Sequence, residues 1–191
     1  MPHIIGEKVY LREYRIEDVE AVQAWRNTEA ITWYAGVYVW PESLEQTRRF
    51  VQAQIDNVDP ANRKFAICLR SDDSYVGHIG YELLDLRRRN TELGIMLARP
   101  DLLSQGIGTE ALQLFLKVCF EELGLHRVGL RVYRENPRGM RAYAKCGFQE
   151  EGVIRDFHFS RGRWHDLVFM SILEDEYWSR QGAGDSPQDT P

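Results

Sequence analysis

The sequence predicts an α/β protein, more narrowly of the α+β type, built on one mixed, mostly antiparallel sheet of about seven strands flanked by helices. Three observations predict this fold. Apolar and polar residues alternate in short segments, two amphipathic runs carry apolar residues at spacings of three and four, and the segments follow in the order β-α-α-β-β-β-α-β-α-β-β. Elements in such an order pack as helices on a mixed sheet. The 191 residues, 43% of them hydrophobic and 28% charged, suffice for one globular core.

The first third of the chain predicts one strand and two helices. Residues 8–12 alternate as a strand does, and a helix is expected to begin at Ile16. An aromatic link, residues 33–41, leads to a second helix over about residues 43–56. The rings of the link are expected either to pack in the core or to face a small substrate.

Three strands are expected next in a row, over residues 65–70, 75–84 and 91–97. Polar turns at residues 71–74 and 85–90 separate them. Because short turns join neighbouring strands, these three should form an antiparallel meander.

The stretch SQGIGTEA, residues 104–111, follows the meander and opens an amphipathic helix that runs to Leu123 before Gly124. Glycines at 106 and 108 leave no side chain above the main chain, so a ligand can approach the backbone N–H groups. The first N–H groups of a helix lack intrahelical partners and lie at its positive end. This stretch therefore predicts a phosphate or pyrophosphate socket, although the same pattern can be only a tight turn.

The last third predicts a strand over residues 128–133, a helix, and two strands over residues 148–159 and 164–173. Asn136 is well placed as the cap of that helix, with Pro137 in its first turn and Gly147 at its end. A short helix is expected over residues 174–180. We expect one domain over residues 1–180 and a disordered tail over residues 181–191, which are small and polar.

Charge and composition exclude several classes of protein. A net charge of −5 and a pI near 5.6 argue against nucleic acid as the main partner. No signal pattern and no apolar run near the roughly 20 residues that span a bilayer are present, so neither secretion nor a membrane is expected. Three scattered cysteines suit free thiols in the cytoplasm, and no metal-ligand spacing is present, so no metal is expected.

Three motifs in one order carry a resemblance to a known family. They are ELGIML at residues 92–97, QGIGTEA at residues 105–111, and Asn136 followed by Tyr143 and KCGF at residues 145–148. From about residue 7 to residue 178 the chain resembles the GNAT family of N-acetyltransferases. It is most similar to the branch that holds ribosomal-protein N-terminal acetyltransferases and spermidine acetyltransferases.

The resemblance implies the GNAT fold, acetyl-coenzyme A (acetyl-CoA) as the acetyl donor and a primary amine as the acceptor, joined by direct attack in a ternary complex. It implies that the pantetheine arm lies along Ile95, Met96 and Leu97, with Asn136 as a further contact. The pyrophosphate is expected on the glycine loop, formed by Gln105, Gly106, Ile107, Gly108 and Thr109. Two departures from the family pattern, Leu103 and Gly139, bear on the strength of cofactor binding.

The chemistry needs a proton acceptor and a proton donor. A lysine-like amine with a pKa of ~10.4 is only about one part in a thousand neutral at pH 7, so a base must take its proton. The resemblance implies Glu92 as that base and Tyr143 as the acid that protonates the leaving thiolate. Glu92 can instead be a surface carboxylate paired with an arginine of residues 87–89, and Tyr143 can be a core residue.

Two other interpretations stay open. The glycines also fit a dinucleotide-binding pattern, but that pattern needs an acid about 20 residues further on, where Arg127 and Val128 stand. A sensor that binds acetyl-CoA without transferring the acetyl group is the non-enzyme alternative.

The acceptor is left open among polyamines, protein N-termini, aminoglycosides and other small amines. Three acids, Glu13, Asp85 and Glu92, are expected to border the cleft and to favour a cation. Specificity is expected at residues 33–40 and 157–164, and exposed strand edges favour a homodimer.

Overall fold

A computed structural model of the protein describes residues 4–35 and 40–182. Eight strands form one sheet in the order β1-β2-β3-β4-β5-β6-β8-β7, and every neighbouring pair is antiparallel except β5 and β6. The strands are β1 Ile4–Ile5, β2 Val9–Arg12, β3 Arg63–Leu69, β4 Tyr75–Asp85, β5 Asn90–Leu97, β6 Arg127–Tyr133, β7 Gln149–Ser160 and β8 Arg163–Leu173. The predicted mixed sheet and the antiparallel meander are confirmed. The eighth strand, β1, is only two residues long and was not predicted.

Six α-helices flank the sheet in the described residues. They are α1 Val19–Arg26, α2 Glu29–Ala35, α3 Leu44–Ile55, α4 Ile107–Lys117, α5 Pro137–Cys146 and α6 Glu174–Arg180. Helix α2 was not predicted, since its first residues lie before the aromatic link and its last three lie within that link. The helix expected from Ile16 begins as a 3-10 turn, and α4 continues as a π-helical turn over Val118–Glu122. None of the helices described is long and apolar enough to cross a bilayer.

A buried core lies on each face of the sheet. The larger core lies between one face and α4, where Phe115, Leu112 and Leu116 are fully buried against the strands. The smaller core lies on the opposite face beneath α1 and α3, around Val22 and Val51. Burial of such side chains contributes roughly 1.5–3 kcal/mol each. The two cores fix the helices on opposite sides of the sheet.

Strands β5 and β6 separate soon after they meet. Their parallel pairing runs from Asn90 beside Arg127 to Glu92 beside Gly129, and residues 93–97 of β5 have no partner on β6. Parallel strands without further pairing must diverge. A gap therefore opens in the middle of the sheet, between β5 and β6, on the C-terminal side of Glu92.

The alternation of strand hydrogen bonds decides which groups face this gap. Ala98 donates its N–H to the carbonyl oxygen of Val76 at 2.8 Å. In an antiparallel pair, every second residue directs both main-chain groups at the partner strand. Met96 therefore directs its main-chain groups at β4, whereas Ile95 and Leu97 direct theirs into the gap.

Strand β7 is one edge of the sheet, and a carboxylate on it is held by hydrogen bonds from two neighbouring strands. Glu151 accepts hydrogen bonds from Arg127 at 2.5 Å and from the Ser171 hydroxyl at 2.8 Å. The Arg127 hydrogen bonds, with a smaller contribution from the Ser171 hydroxyl, outweigh the opposing effect of desolvation and lower the pKa of Glu151 to about 2. This contact ties β7 to β6 across the end of β8.

Candidate active site

A cavity of about 850 Å³ lies at the gap between β5 and β6. Most of the residues predicted for the site line it: Glu92, Ile95, Met96, Leu97, Gly106, Gly108, Thr109, Asn136 and Tyr143. Two predicted residues do not. The Gln105 side chain donates to the carbonyl oxygen of Asp101 at 2.7 Å, and Ile107 is buried in the larger core. Ile107 can therefore offer only its main-chain groups to a ligand, and the Nε2 group of Gln105 is engaged by Asp101.

The glycine loop forms one end of the cavity. Gly106 caps α4 with a φ of 86°, a left-handed conformation that glycine adopts without a steric penalty. A Cβ at Gly108 would lie 3.4 Å from Cδ1 of Leu97, so the start of α4 packs closely on β5. Lys8 donates from its Nζ to the carbonyl oxygen of Gln105 at 2.9 Å, which places a cation beside the loop. A helix start with free N–H groups and a nearby cation fits a pyrophosphate.

Helix α5 provides the facing wall of this half. Three cations on it, Arg138, Arg141 and Lys145, line the cavity together with Leu103 from the turn before α4. Their charge suits the phosphates of a nucleotide-like ligand. The departure at Leu103 thus puts an apolar side chain into a wall that still carries positive charge from α5.

Asn136 caps α5 as predicted. Its Oδ1 accepts a hydrogen bond from the N–H of Gly139 at 2.9 Å. A Cβ at Gly139 would lie 2.7 Å from Nδ2 of Asn136, so a side chain at this position requires the Asn136 side chain to shift. The departure at Gly139 is therefore coupled to the Asn136 cap, and Asn136 also lines the cavity.

Tyr143 lies two turns along α5 from Asn136 and lines the same cavity. Its ring packs edge-on against Phe148, with 6.0 Å between centroids. Burial raises the pKa of Tyr143 to about 12, with a smaller contribution from Cys146, so the hydroxyl stays protonated at neutral pH. A protonated phenol in the cavity wall can donate a proton.

Glu92 lies at the closed end of the gap, beside Gly129. Its Oε2 forms an ion pair with Arg131 at 2.7 Å. The prediction that Glu92 pairs with an arginine of residues 87–89 is wrong. Arg89 pairs with Glu174, and Arg88 pairs with Asp85.

Sequence reasoning missed several polar residues in the other half of the cavity. They line the part of the cavity on the α1 side of the sheet, and they are Arg26, Lys64, His78, Glu82, Arg131 and His158. Glu82 lies directly opposite Glu92 in the β4–β5 register, and Lys64 approaches it at 3.5 Å. Burial lowers the pKa of His78 to about 3, so its imidazole is neutral at physiological pH. The alternation of β4 placed His78 and Glu82 on one face, but only the strand register shows that this face meets Glu92.

The hairpin of β7 and β8 closes the far wall against α2. Arg161 in the hairpin turn pairs with Glu29 of α2 at 2.5 Å and lies over the Trp33 ring, 4.6 Å from its centroid. Trp33 stacks in turn on Tyr133, which lines the cavity. These contacts hold α2 and the hairpin together as one wall.

The regions predicted to set specificity reach the cavity in part. Phe157 and His158 line it, whereas Phe159 and Trp164 pack on each other and are exposed. Trp33 supports the wall and Trp40 is 81% exposed, while residues 36–39 of the predicted region lie outside the described residues.

Of the three acids expected to border the cleft, only Glu92 does. Glu13 pairs with Arg63 away from the cavity, and Asp85 lines a separate cavity at the other end of β5.

Comparisons with known proteins give a consistent result. The family model described as an acetyltransferase (GNAT) domain matches residues 8–149. The chain is 28% identical to the spermidine N(1)-acetyltransferase of Vibrio cholerae over 181 residues, which cover 92% of this chain and 99% of that protein. It is 27% identical to the uncharacterized N-acetyltransferase p20 of Bacillus licheniformis over 179 residues, 93% of this chain and 99% of that protein. The crystal structure of the Vibrio cholerae spermidine N-acetyltransferase in complex with CoA and spermine superposes with a TM-score of 0.80 at 25% identity, covering 90% of this chain and 99% of that chain.

Proposed function

This chain belongs to the GNAT acetyltransferase family, and on that premise we propose that it transfers the acetyl group of acetyl-CoA to a primary amine by direct attack in a ternary complex. The observation that carries the proposal is the single cavity that joins the glycine loop, the β5–β6 gap and the Tyr143 side chain. It brings a phosphate socket, an open strand edge and a proton donor to one place.

The described residues fit acetyl-CoA. Main-chain groups of Ile95 and Leu97 face the gap and are free to bind an amide-bearing arm, while Met96 lines the cavity with its side chain. The glycine loop, from Gln105 to Thr109, offers N–H groups to the pyrophosphate. Asn136 lines the same cavity, and its Nδ2 group can donate a hydrogen bond to the arm.

The chain's own groups then carry the chemistry. An N–H of Ile95 or Leu97 in the gap stabilises the negative charge that develops on the thioester oxygen. Tyr143 donates its proton to the coenzyme sulfur as the carbon–sulfur bond breaks. Glu92, at the closed end of the gap, contributes negative charge that attracts the acceptor's ammonium group. Much of the acceleration comes from holding amine and thioester together, which can supply several kcal/mol.

The charge around the acceptor half favours an amine with one ammonium group. Glu82 and Glu92 are matched there by Lys64 and Arg131, so the lining has no surplus of negative charge between these strands. A polyamine carries several ammonium groups and benefits from an acidic surface. We therefore propose that a peptide N-terminus or another monoamine is accepted in preference to spermidine.

The test is CoA release from acetyl-CoA, read with a thiol reagent across spermidine, trialanine, an aminoglycoside, amino sugars and free amino acids. Amine-dependent release supports the transferase and ranks its acceptors. Acetyl-CoA binding without release for any amine favours the sensor, and the absence of binding contradicts both proposals.

The proposal extends to a cytoplasmic location and to a homodimer. The three cysteines, Cys68, Cys119 and Cys146, are free and buried, as suits a reducing compartment. The exposed edge strand β7 offers a surface on which a second copy can pair. Sedimentation at micromolar protein concentration tests the dimer.

A further inference from the structure

Four charged side chains cross the floor of the acceptor half in a row, one from each of four neighbouring strands. Their order is Lys64 on β3, Glu82 on β4, Glu92 on β5 and Arg131 on β6. The two glutamates are directly opposite each other in an antiparallel pair, where like charges are destabilising. The flanking cations offset that repulsion, so the row holds two carboxylates together in the cavity.

The two carboxylates are held differently. Glu92 is in close contact with the Arg131 guanidinium at 2.7 Å, so an incoming ammonium must compete with a charge already in place. Glu82 is 3.5 Å from the Lys64 ammonium, a looser contact, and its side chain is 40% exposed against 29% for Glu92. Glu82 is therefore the more accessible of the two carboxylates.

The position of Glu82 relative to the gap distinguishes it further. Its Oε1 lies 3.7 Å from the point that a Cβ of Gly94 would occupy. Gly94 is two residues beyond Glu92, roughly 7 Å along the strand, where β5 has already left β6. Because Gly94 has no side chain, the Glu82 carboxylate leans over β5 towards the mouth of the gap.

We infer that Glu82 is the carboxylate that takes the proton from the acceptor's ammonium group, directly or through one water. This inference rests on the proposed acetyl transfer and assigns its base to β4 rather than to Glu92 on β5. Glu92 then holds the Arg131 guanidinium, which it contacts at 2.7 Å.

The protons and bonds balance in this scheme. The ammonium nitrogen gives one proton to Glu82, which releases it to solvent. The freed lone pair forms the new carbon–nitrogen bond as the carbon–sulfur bond breaks. The sulfur takes a proton from Tyr143, and the second proton lost by the nitrogen restores the phenol. The products are the amide and CoA as its thiol.

The experiment compares Glu82→Gln, Glu92→Gln and the control Glu13→Gln, which alters a carboxylate paired with Arg63 outside the cavity. Each is assayed for kcat/KM with spermidine and with trialanine, at pH 7.5 and pH 9.5. CoA affinity and thermal unfolding are measured for each variant, so that a loss of fold is recognised.

The charged and titratable groups lining the same half are Arg26, Lys64, His78, Glu92, Arg131 and His158.

We expect Glu82→Gln to lower kcat/KM for spermidine about 10²-fold at pH 7.5, the usual contribution of a general base. For an amine with a pKa of ~10.4, the neutral fraction rises about 90-fold between the two pH values, so the deficit should shrink at pH 9.5. It should also be smaller for trialanine, whose α-amine has a pKa of ~8 and is partly neutral already. Glu13→Gln should match the wild type.

Two results would overturn the inference while leaving the transferase intact. One is a deficit of Glu82→Gln that is equal for both amines and at both pH values, as expected of a purely structural residue. The other is the pH-dependent deficit appearing in Glu92→Gln instead. If the wild type releases no CoA with either amine, the proposed acetyl transfer to these acceptors fails, and the inference fails with it.

Discussion

The coupling between Gly139 and the cap of α5 can be tested by a double-mutant cycle of Gly139→Ala and Asn136→Ala. Alanine at a helical position in place of glycine contributes up to about 1 kcal/mol of stability. The added Cβ, however, would lie 2.7 Å from Nδ2 of Asn136, closer than such atoms approach, and 3.0 Å from its Cγ, which is a tight contact. Asn136 must then move, and a lost N-cap costs about 1 kcal/mol.

In the wild-type background these two effects offset each other, so Gly139→Ala should change the free energy of unfolding by less than about 0.5 kcal/mol. With Asn136→Ala already in place there is no cap to displace. The same change should then stabilise the protein by about 0.5–1 kcal/mol.

Urea unfolding followed by circular dichroism measures both values, and the coupling should be about 1 kcal/mol. An equal gain in the two backgrounds would refute the reasoning, because the cap would then be insensitive to a side chain at 139. CoA affinity measured on the same proteins shows whether moving Asn136 also disturbs the wall of the cavity.

Three further outcomes are expected. Tyr143→Phe should lower kcat about 10²-fold without abolishing turnover. Because the change removes only the proton donor, CoA affinity should stay the same. An unchanged kcat would exclude Tyr143 as the acid. Glu151→Gln should lower the free energy of unfolding at pH 7 by about 1 kcal/mol or less, because the carboxylate is 39% exposed. Since folding lowers its pKa from 4.5 to about 2, that difference should disappear as the pH falls from 4.5 to 2, and a difference that persists at pH 2 would contradict the assignment. Gly80→Ala should unfold at a clearly lower urea concentration than Gly152→Ala. A Cβ at Gly80 would overlap the carbonyl oxygen of Arg63, whereas a Cβ at Gly152 meets nothing within 4 Å. Equal midpoints of unfolding would refute this reasoning.

Local features of the fold could be predicted from the sequence. The cap at Asn136, the stop at Gly147 and the left-handed Gly106 depend on a few neighbouring residues, so their residue types predict them. Alternation likewise predicted the three strands of the meander. Helix α2 and the two-residue β1 were missed because neither carries enough periodic residues for a pattern to be read.

The contacts that shape the candidate site are not local. Glu92 meets Arg131 because β5 pairs with β6, which follows it only after the whole of α4. Glu82 reaches the mouth of the gap because the β4–β5 register places it opposite Glu92, and Gly94 leaves the way open. A shift of one residue in that register would move Glu82 to the other face of the sheet, so its position could only come from the structure.

The short pairing between β5 and β6 also has a mechanical meaning. Three residue pairs between β5 and β6 join the five strands on one side of the sheet to the three on the other. The sheet therefore consists of two parts with a short connection. If the arm of acetyl-CoA bonds to the open edge of β5 as proposed, it fills the gap beyond these three pairs, and the two parts of the sheet should then flex less against each other. On this proposal, donor binding and stiffening of the sheet are one event, and release of CoA reverses both.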